Sequence, residues 1–186
     1  MPVSTVSSTE VFRGRGFRVK HESVTLGSGV ETDYDILVFP GASAIVPLLD
    51  RETVLLLRQY RHAVGKTIWE IPAGTFNAGE TPLDCAQREL PEETGYSAAQ
   101  WHPLGEILPI PGHSDKRVHL FLATDLHRGG QNLDADEIVD VTPVTFDDAM
   151  AMIVSGKIID AKSICALFKT QQVILGGNSG DTILNY

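Results

Sequence analysis

The glutamate-rich segment Gly74–Tyr96 limits the fold of this chain more tightly than any other part of it. Glu89, Glu92 and Glu93 are spaced i, i+3 and i+4, so a helix would project all three carboxylates from one face. Carboxylates held this close repel each other and destabilise a helix unless a cation lies among them. Because all three donors are carboxylate oxygens, the spacing predicts a site for Mg2+ or Mn2+.

Helix signals surround these glutamates. Thr81 is a good N-cap residue and Pro82 suits the first helical position. Gly95 suits the residue after a helix, so we predict a helix over Thr81–Thr94. Pro91 lies inside this helix, where a proline costs about 3 kcal/mol because it removes an amide donor and clashes with the preceding turn. It falls on the side opposite the three carboxylates, so a kink there need not remove a ligand.

The net charge narrows the range of partners. The 15 Lys and Arg residues against 24 Asp and Glu give a formal charge of −9, which argues against general binding of nucleic acids or anionic membranes. An anionic substrate would therefore need a bridging cation. Two cysteines, Cys85 and Cys165, are too few for a disulfide framework or a cysteine zinc site. Such a small number is typical of proteins in a reducing compartment. The first ten residues lack the pattern of a signal peptide, so we expect a cytoplasmic protein.

The remainder of the chain combines short apolar runs, turn residues and two further helical patterns. We predict a small N-terminal antiparallel β subdomain over residues 1–40, a larger domain over 41–172 and a loose tail over 173–186. Grouped rather than strictly alternating strands and helices favour an α/β sandwich. The predicted strands are Phe12–Thr25, Tyr34–Phe39, Ala44–Leu49, Thr53–Tyr60, Ile68–Ile71, Trp101–Leu108, Val118–Thr124 and Glu137–Val144; the further helices are Phe146–Ser155 and Ala161–Thr170.

The segment Gly74–Tyr96 resembles the signature of the Nudix hydrolases. That resemblance implies an α/β/α sandwich with a mixed sheet, and the hydrolysis of a nucleoside diphosphate linked to another group. Gly74 also permits a close approach of the backbone, so the carbonyl of Ala73 is a candidate metal ligand. Every fixed position of the signature is matched: Gly74, Glu80, Arg88, Glu89, Leu90, Glu92, Glu93, Gly95 and Tyr96.

The same resemblance implies roles within the segment. Metal ligation falls to Glu89, Glu92 and Glu93, and Glu93 is therefore placed among the catalytic residues. Arg88 and Glu80 would orient the carboxylates, since a guanidinium can hold a carboxylate through two hydrogen bonds.

Segments outside the signature resemble the ADP-ribose pyrophosphatase branch of this family. They are Leu56–Gly65, Trp69–Gly74, Leu108–Leu122 and Asp134–Lys162. The branch carries a proline about sixteen residues after the last glycine of the signature. The resemblance implies these substrate contacts: Arg61 as the first choice for a phosphate, Arg58 as the second, Glu70 on substrate or metal-bound water, and Pro111 in the pocket.

Branch members supply a catalytic glutamate from a loop that corresponds here to an acidic stretch. Glu137 matches best by position, immediately before an apolar strand, and Asp136 and Asp134 remain alternatives. Branch members also form dimers in which the N-terminal β piece crosses to the partner. We expect a homodimer, because the isolated N-terminal strands would otherwise leave their edges exposed.

The leading interpretation is the metal-dependent hydrolysis of ADP-ribose to AMP and ribose 5-phosphate. One alternative is hydrolysis of other nucleoside diphosphate sugars, such as GDP-mannose or ADP-glucose. A second is a Nudix-like sensor that binds ADP-ribose without cleaving it. Such modules usually have an eroded signature, whereas this chain keeps every carboxylate.

Overall fold

A computed structural model describes residues 3–130 and 139–176 of the chain. The chain forms two compact units. The first comprises Met1–Gly41 and Leu108–Arg117, and the second comprises Ala42–Ile107 and Val118–Tyr186. No helix in the described part of the chain has the length and apolar character needed to cross a membrane.

The first unit is built on a three-stranded antiparallel sheet in the order β1-β2-β3. Its strands are β1 (Ser4–Arg13), β2 (Arg18–Thr25) and β3 (Glu31–Val38). The sequence prediction missed most of β1, because this strand is rich in Ser and Thr and has no apolar alternation. A single strand over Phe12–Thr25 is also wrong, since residues 14–17 form the turn between β1 and β2.

The second unit contains two sheets and three helices. A four-stranded sheet has the order β7-β4-β9-β8, in which β4 and β9 run parallel and the other neighbours run antiparallel. A three-stranded antiparallel sheet has the order β10-β5-β6. The elements are β4 (Ala42–Pro47), β5 (Thr53–Arg61), β6 (Lys66–Glu70), β7 (Ala73–Thr75), α1 (Pro82–Thr94), β8 (Tyr96–Ile107), β9 (Val118–Arg128), β10 (Val139–Thr145), α2 (Phe146–Val154) and α3 (Ala161–Gly176).

Strand β4 shows why the second unit forms layers. Its residues alternate between two apolar clusters, because successive side chains of a strand point to opposite faces. Val46 joins a cluster with Leu167 of α3, whereas Ile45 joins a cluster with Ala86 and Leu90 of α1. Helices therefore cover both faces of the mixed sheet, which confirms the predicted α/β/α sandwich.

The helix α1 has the predicted ends, but α3 does not. Thr81 Oγ1 accepts a hydrogen bond from the amide of Asp84 at 3.2 Å, and Gly95 closes α1 with a φ of 76°. The predicted end of the last helix at Thr170 is wrong, because α3 continues to Gly176. Its final turns carry Val173 and Ile174, which pack against the main apolar cluster and stabilise the extension.

Candidate active site

Arg88 organises the acidic residues around α1. Its Nε and Nη2 atoms lie 2.6 and 3.0 Å from the two carboxylate oxygens of Glu80. Its Nη1 atom lies 2.6 Å from Glu89 Oε1 and 3.0 Å from Glu92 Oε2, and Nη2 also donates to the carbonyl of Thr75 at 3.1 Å. One guanidinium therefore offsets the mutual repulsion of three carboxylates and ties α1 to the loop before it. These contacts join Arg88 to Glu80 and to two of the α1 glutamates, while the orienting role of Arg88 and Glu80 in catalysis stays a prediction.

The electrostatics of Glu80 follow from this clamp. The hydrogen bond from Arg88, with a further one from the amide of Asn77 at 2.7 Å, lowers the pKa of Glu80 to about 2. The same hydrogen bond to Glu80, opposed by burial, raises the pKa of Arg88 above its usual value. Both groups are therefore charged throughout the neutral range.

Glu93 connects α1 to strand β7 from inside the protein. The residue is only 2% exposed, and its Oε2 atom accepts a hydrogen bond from the amide of Ala73 at 2.8 Å. The sequence prediction concerned the carbonyl of Ala73 as a metal ligand, whereas the observed contact is made by its N–H group. The contact places the Glu93 carboxylate against the strand that carries Ala73.

Gly74 makes room for the side chain of Glu89. A Cβ atom at this position would overlap the carboxylate of Glu89. The Glu89 side chain therefore lies directly against the backbone of Gly74, and glycine is required here for space. The buried thiol of Cys85 also faces this backbone, with Sγ 3.4 Å from the carbonyl of Gly74, and burial raises its pKa to about 11. The Cys85 thiol is therefore protonated and unreactive at neutral pH.

The donor set of α1 fits a hard divalent cation. Glu89, Glu92 and Glu93 supply only carboxylate oxygens, which Mg2+ and Mn2+ prefer, and the backbone at Gly74 leaves space for the Glu89 carboxylate. Within residues 3–130 and 139–176, however, no three His, Cys, Asp or Glu side chains are gathered in a metal-binding arrangement. We attribute this to Arg88, which pairs with two of the three carboxylates.

Strands β5 and β6 bring two of the predicted substrate residues together. Arg61 Nε and Nη2 lie 2.8 and 2.6 Å from Glu70 Oε2. Arg58 is three residues from Arg61 and so points to the opposite face of β5, where its guanidinium lies 5.4 Å from the ring centroid of Trp69. The structure thus places Arg58 and Arg61 on different faces of one strand.

Sequence analysis missed two charged residues next to this pair. Lys162 Nζ lies 3.0 Å from Glu70 Oε1 and 3.0 Å from Asp160 Oδ2. The available signal was the spacing of Asp160 and Ser163, which is typical of a helix N-cap and would have placed Lys162 in the first turn of α3.

Two further predicted site regions belong to other parts of the chain. Glu137, Asp136 and Asp134 fall outside the described residues. Pro111 belongs to the first unit, in the segment Leu108–Arg117.

Comparisons with known proteins agree with the signature. A family model described as NUDIX domain matches residues 39–167. The chain is 36% identical over 165 residues to an ADP-ribose pyrophosphatase of Bacillus subtilis, covering 88% of this chain and 89% of that protein. It is 34% identical over 165 residues, with the same coverage, to a methanol dehydrogenase activator of Bacillus methanolicus. A solved structure titled as an ADP compounds hydrolase shares the fold with a TM-score of 0.85, at 23% identity over 95% of this chain and 96% of that one.

Proposed function

The chain belongs to the Nudix family of hydrolases, and from this premise we propose that it hydrolyses ADP-ribose to AMP and ribose 5-phosphate. The observation that carries the proposal is the intact carboxylate set of α1, organised by Arg88, in a chain 36% identical to an ADP-ribose pyrophosphatase over 88% of its length. Water is the second substrate and is added across the diphosphate bond.

The metal-binding role is proposed for α1. Glu89, Glu92 and Glu93 would hold Mg2+ or Mn2+, with the carbonyl of Ala73 as a further ligand. When bound, the cation neutralises the diphosphate and lowers the pKa of a coordinated water. Arg88 would orient Glu89 and Glu92 through its guanidinium.

The substrate contacts are proposed for the strand pair and two further segments. Arg61 would bind a phosphate through its planar guanidinium, while the Glu70 carboxylate holds that guanidinium in place through Oε2. Arg58 is the second candidate for a phosphate contact. Pro111 would shape the pocket. Glu137 would accept the proton of the attacking water, with Asp136 and Asp134 as the alternatives.

A homodimer is proposed on the exposed apolar surface of the first unit. Val6, Val11, Phe12 and Val30 are all more than half exposed there, and an association of two chains through residues 1–40 would cover them. The domain over 41–172 completes the proposed organisation, whereas the first residues of the tail predicted over 173–186 belong to α3. A cytoplasmic location is proposed because Cys85 and Cys165 are both free thiols.

A substrate panel tests the function. The full-length protein is assayed with ADP-ribose, ADP-glucose and GDP-mannose, each with Mg2+, with Mn2+ and with a chelator, and the products are identified by mass. We expect AMP and ribose 5-phosphate, the highest kcat/KM for ADP-ribose, and no turnover in the chelator. A higher kcat/KM for GDP-mannose would reassign the substrate, and tight binding of ADP-ribose without any product would indicate a sensor.

A further inference from the structure

The start of α3 adds a second cation to the Arg61–Glu70 pair. Lys162 Nζ contacts Glu70 Oε1 at 3.0 Å, whereas both contacts from Arg61 go to the other oxygen, Oε2. The Glu70 side chain is only 4% exposed, so these two cations replace the solvent that a carboxylate normally requires. The two oxygens of Glu70 are thus divided between one cation from β5 and one from α3.

Lys162 is held in this position by the helix that carries it. Asp160 Oδ2 contacts Lys162 Nζ at 3.0 Å and accepts the amide of Ser163 at 2.9 Å, as an N-cap does. The Ser163 hydroxyl in turn accepts the amide of Ile71 at 2.9 Å. Because Ile71 follows Glu70 directly, the first turn of α3 is fixed to the end of β6 at two points.

Arg61 keeps part of its guanidinium available for a ligand. Its side chain is 37% exposed, and Nη1 takes no part in the contacts with Glu70. Across the described ranges, 3–130 and 139–176, the structure gives Arg61 no acceptor besides Glu70. With one edge of the guanidinium fixed, the remaining donors have a single orientation, which is what recognition of a phosphate by a planar fork requires.

We propose that Lys162 is a positioning residue for Arg61, acting through Glu70. By holding one oxygen of the carboxylate, it fixes the other oxygen as the anchor that orients the guanidinium towards the substrate diphosphate. This inference rests on the proposed function, in which Arg61 contacts a phosphate. A direct contact between Lys162 and the substrate is disfavoured, because its side chain is 16% exposed and its Nζ lies between two carboxylates.

A double-mutant cycle separates positioning from direct contact. Lys162→Met keeps the apolar stem but removes the charge, and it should raise KM for ADP-ribose about 10-fold while kcat stays within about 3-fold. In the Arg61→Ala background the same change should alter kcat/KM by less than about 2-fold, because its effect passes through Arg61. Lys162→Arg keeps a positive charge, so its KM should stay close to that of the wild type. Lys169→Met, on the exposed side of the same helix, should leave KM unchanged. Equal losses in both backgrounds would overturn the proposal.

A second measurement needs no substrate. The Nε–H signal of Arg61, assigned by its loss in Arg61→Lys, should exchange with water about 10-fold faster in Lys162→Met than in the wild type or Lys169→Met. An unchanged exchange rate refutes the positioning role. If the wild type hydrolyses no compound in the panel, the proposed function fails, while this signal still decides whether Lys162 fixes Arg61.

Discussion

At the scale of single residues, Arg88 explains how one helix tolerates three carboxylates spaced i, i+3 and i+4. Its guanidinium contacts Glu89 and Glu92 through Nη1 and holds Glu80 through the other edge. Glu93 avoids this competition, because it turns to the amide of Ala73 instead. Three of the four acidic side chains thus share the charge of Arg88 and the fourth accepts from Ala73, which lowers the repulsion that the sequence spacing implies.

Glu93→Gln should abolish most activity and preserve the fold. An amide oxygen can still accept the hydrogen bond from Ala73, while the ligand charge is lost. We expect kcat to fall by about 100-fold or more, beyond the loss usual for residues that only support a metal ligand. Steady-state kinetics at saturating Mg2+ and circular dichroism check this, with the exposed Glu31→Gln as the control. Activity within threefold of the wild type would show that the α1 carboxylates are not the metal site.

Glu80 should contribute a pH-dependent part of the stability. Its pKa of about 2 in the folded protein lies below the ordinary value of 4.5, so its contribution is fully present above pH 4.5. The contribution is lost as the pH falls from 4.5 towards 2, because the unfolded chain then binds the proton first. Urea unfolding in a chelator should show a constant difference between wild type and Glu80→Gln from pH 7 to 5, and a shrinking one below. A difference that stays constant down to pH 3 would contradict the Arg88 clamp.

At the scale of elements, α1 accommodates a proline without interruption. The helix runs continuously through Pro91, whose carbonyl accepts the amide of Gly95 at 2.9 Å. The carbonyl that loses its donor belongs to Gln87, which is exposed and accessible to water. Because Pro91 lies one turn from the capped end, only a short stretch of helix beyond it depends on regular hydrogen bonds.

Pro91→Leu should stabilise the protein and keep it active. The substitution restores an amide donor for Gln87 and a good helix former, so unfolding should cost up to about 3 kcal/mol more. Thermal unfolding and turnover with Mg2+ and Mn2+ are compared for both proteins. A lower turnover, or a changed preference between the two metals, would mean that the proline helps to place Glu92 and Glu93.

Gly74→Ala should disrupt the contact between β7 and α1. The added methyl group would overlap the Glu89 carboxylate, so either the side chain or the strand has to move. We expect a loss of about 1–3 kcal/mol in unfolding free energy and a fall in kcat, measured by urea unfolding and initial rates. Gly16→Ala is the matched control, because nothing lies within 4 Å of its added Cβ. Equal effects of the two substitutions would contradict the packing argument.

At the scale of the whole molecule, the two units differ in how far their apolar side chains are buried. The second unit buries two apolar clusters between its sheets and helices. The three-stranded sheet of the first unit leaves several of them exposed, including Val6 at 65% and Val11 at 58%. A sheet of three strands needs an apolar face covered for stability, which is why a second chain is the proposed cover.

Val6→Lys combined with Val11→Lys should convert the proposed dimer to a monomer. Charges introduced on both chains would repel each other across the interface and would lose their solvent there. Light scattering after size exclusion gives the mass, and Val154→Lys is the control because Val154 is 85% exposed in the second unit. A monomeric wild type, or a double variant that remains dimeric, would rule out this interface.

The sequence by itself determined α1 and its acidic face. Thr81, Pro82 and Gly95 act on neighbouring residues, and the glutamate spacing is set by the helical repeat, so these features need no tertiary context. The polar strand β1 and the last turns of α3 escaped prediction, because cross-strand pairing and packing of Val173 and Ile174 stabilise them rather than local preference.

Only the tertiary structure decided which charged residues meet. Arg61, Glu70 and Lys162 lie up to 101 positions apart in the chain and come together through the pairing of β5 with β6 and the docking of α3. No local pattern specifies this contact, since it depends on strand register and on where a helix starts in space. The same reason explains why Arg58, although only three residues from Arg61, lies on the other face against Trp69.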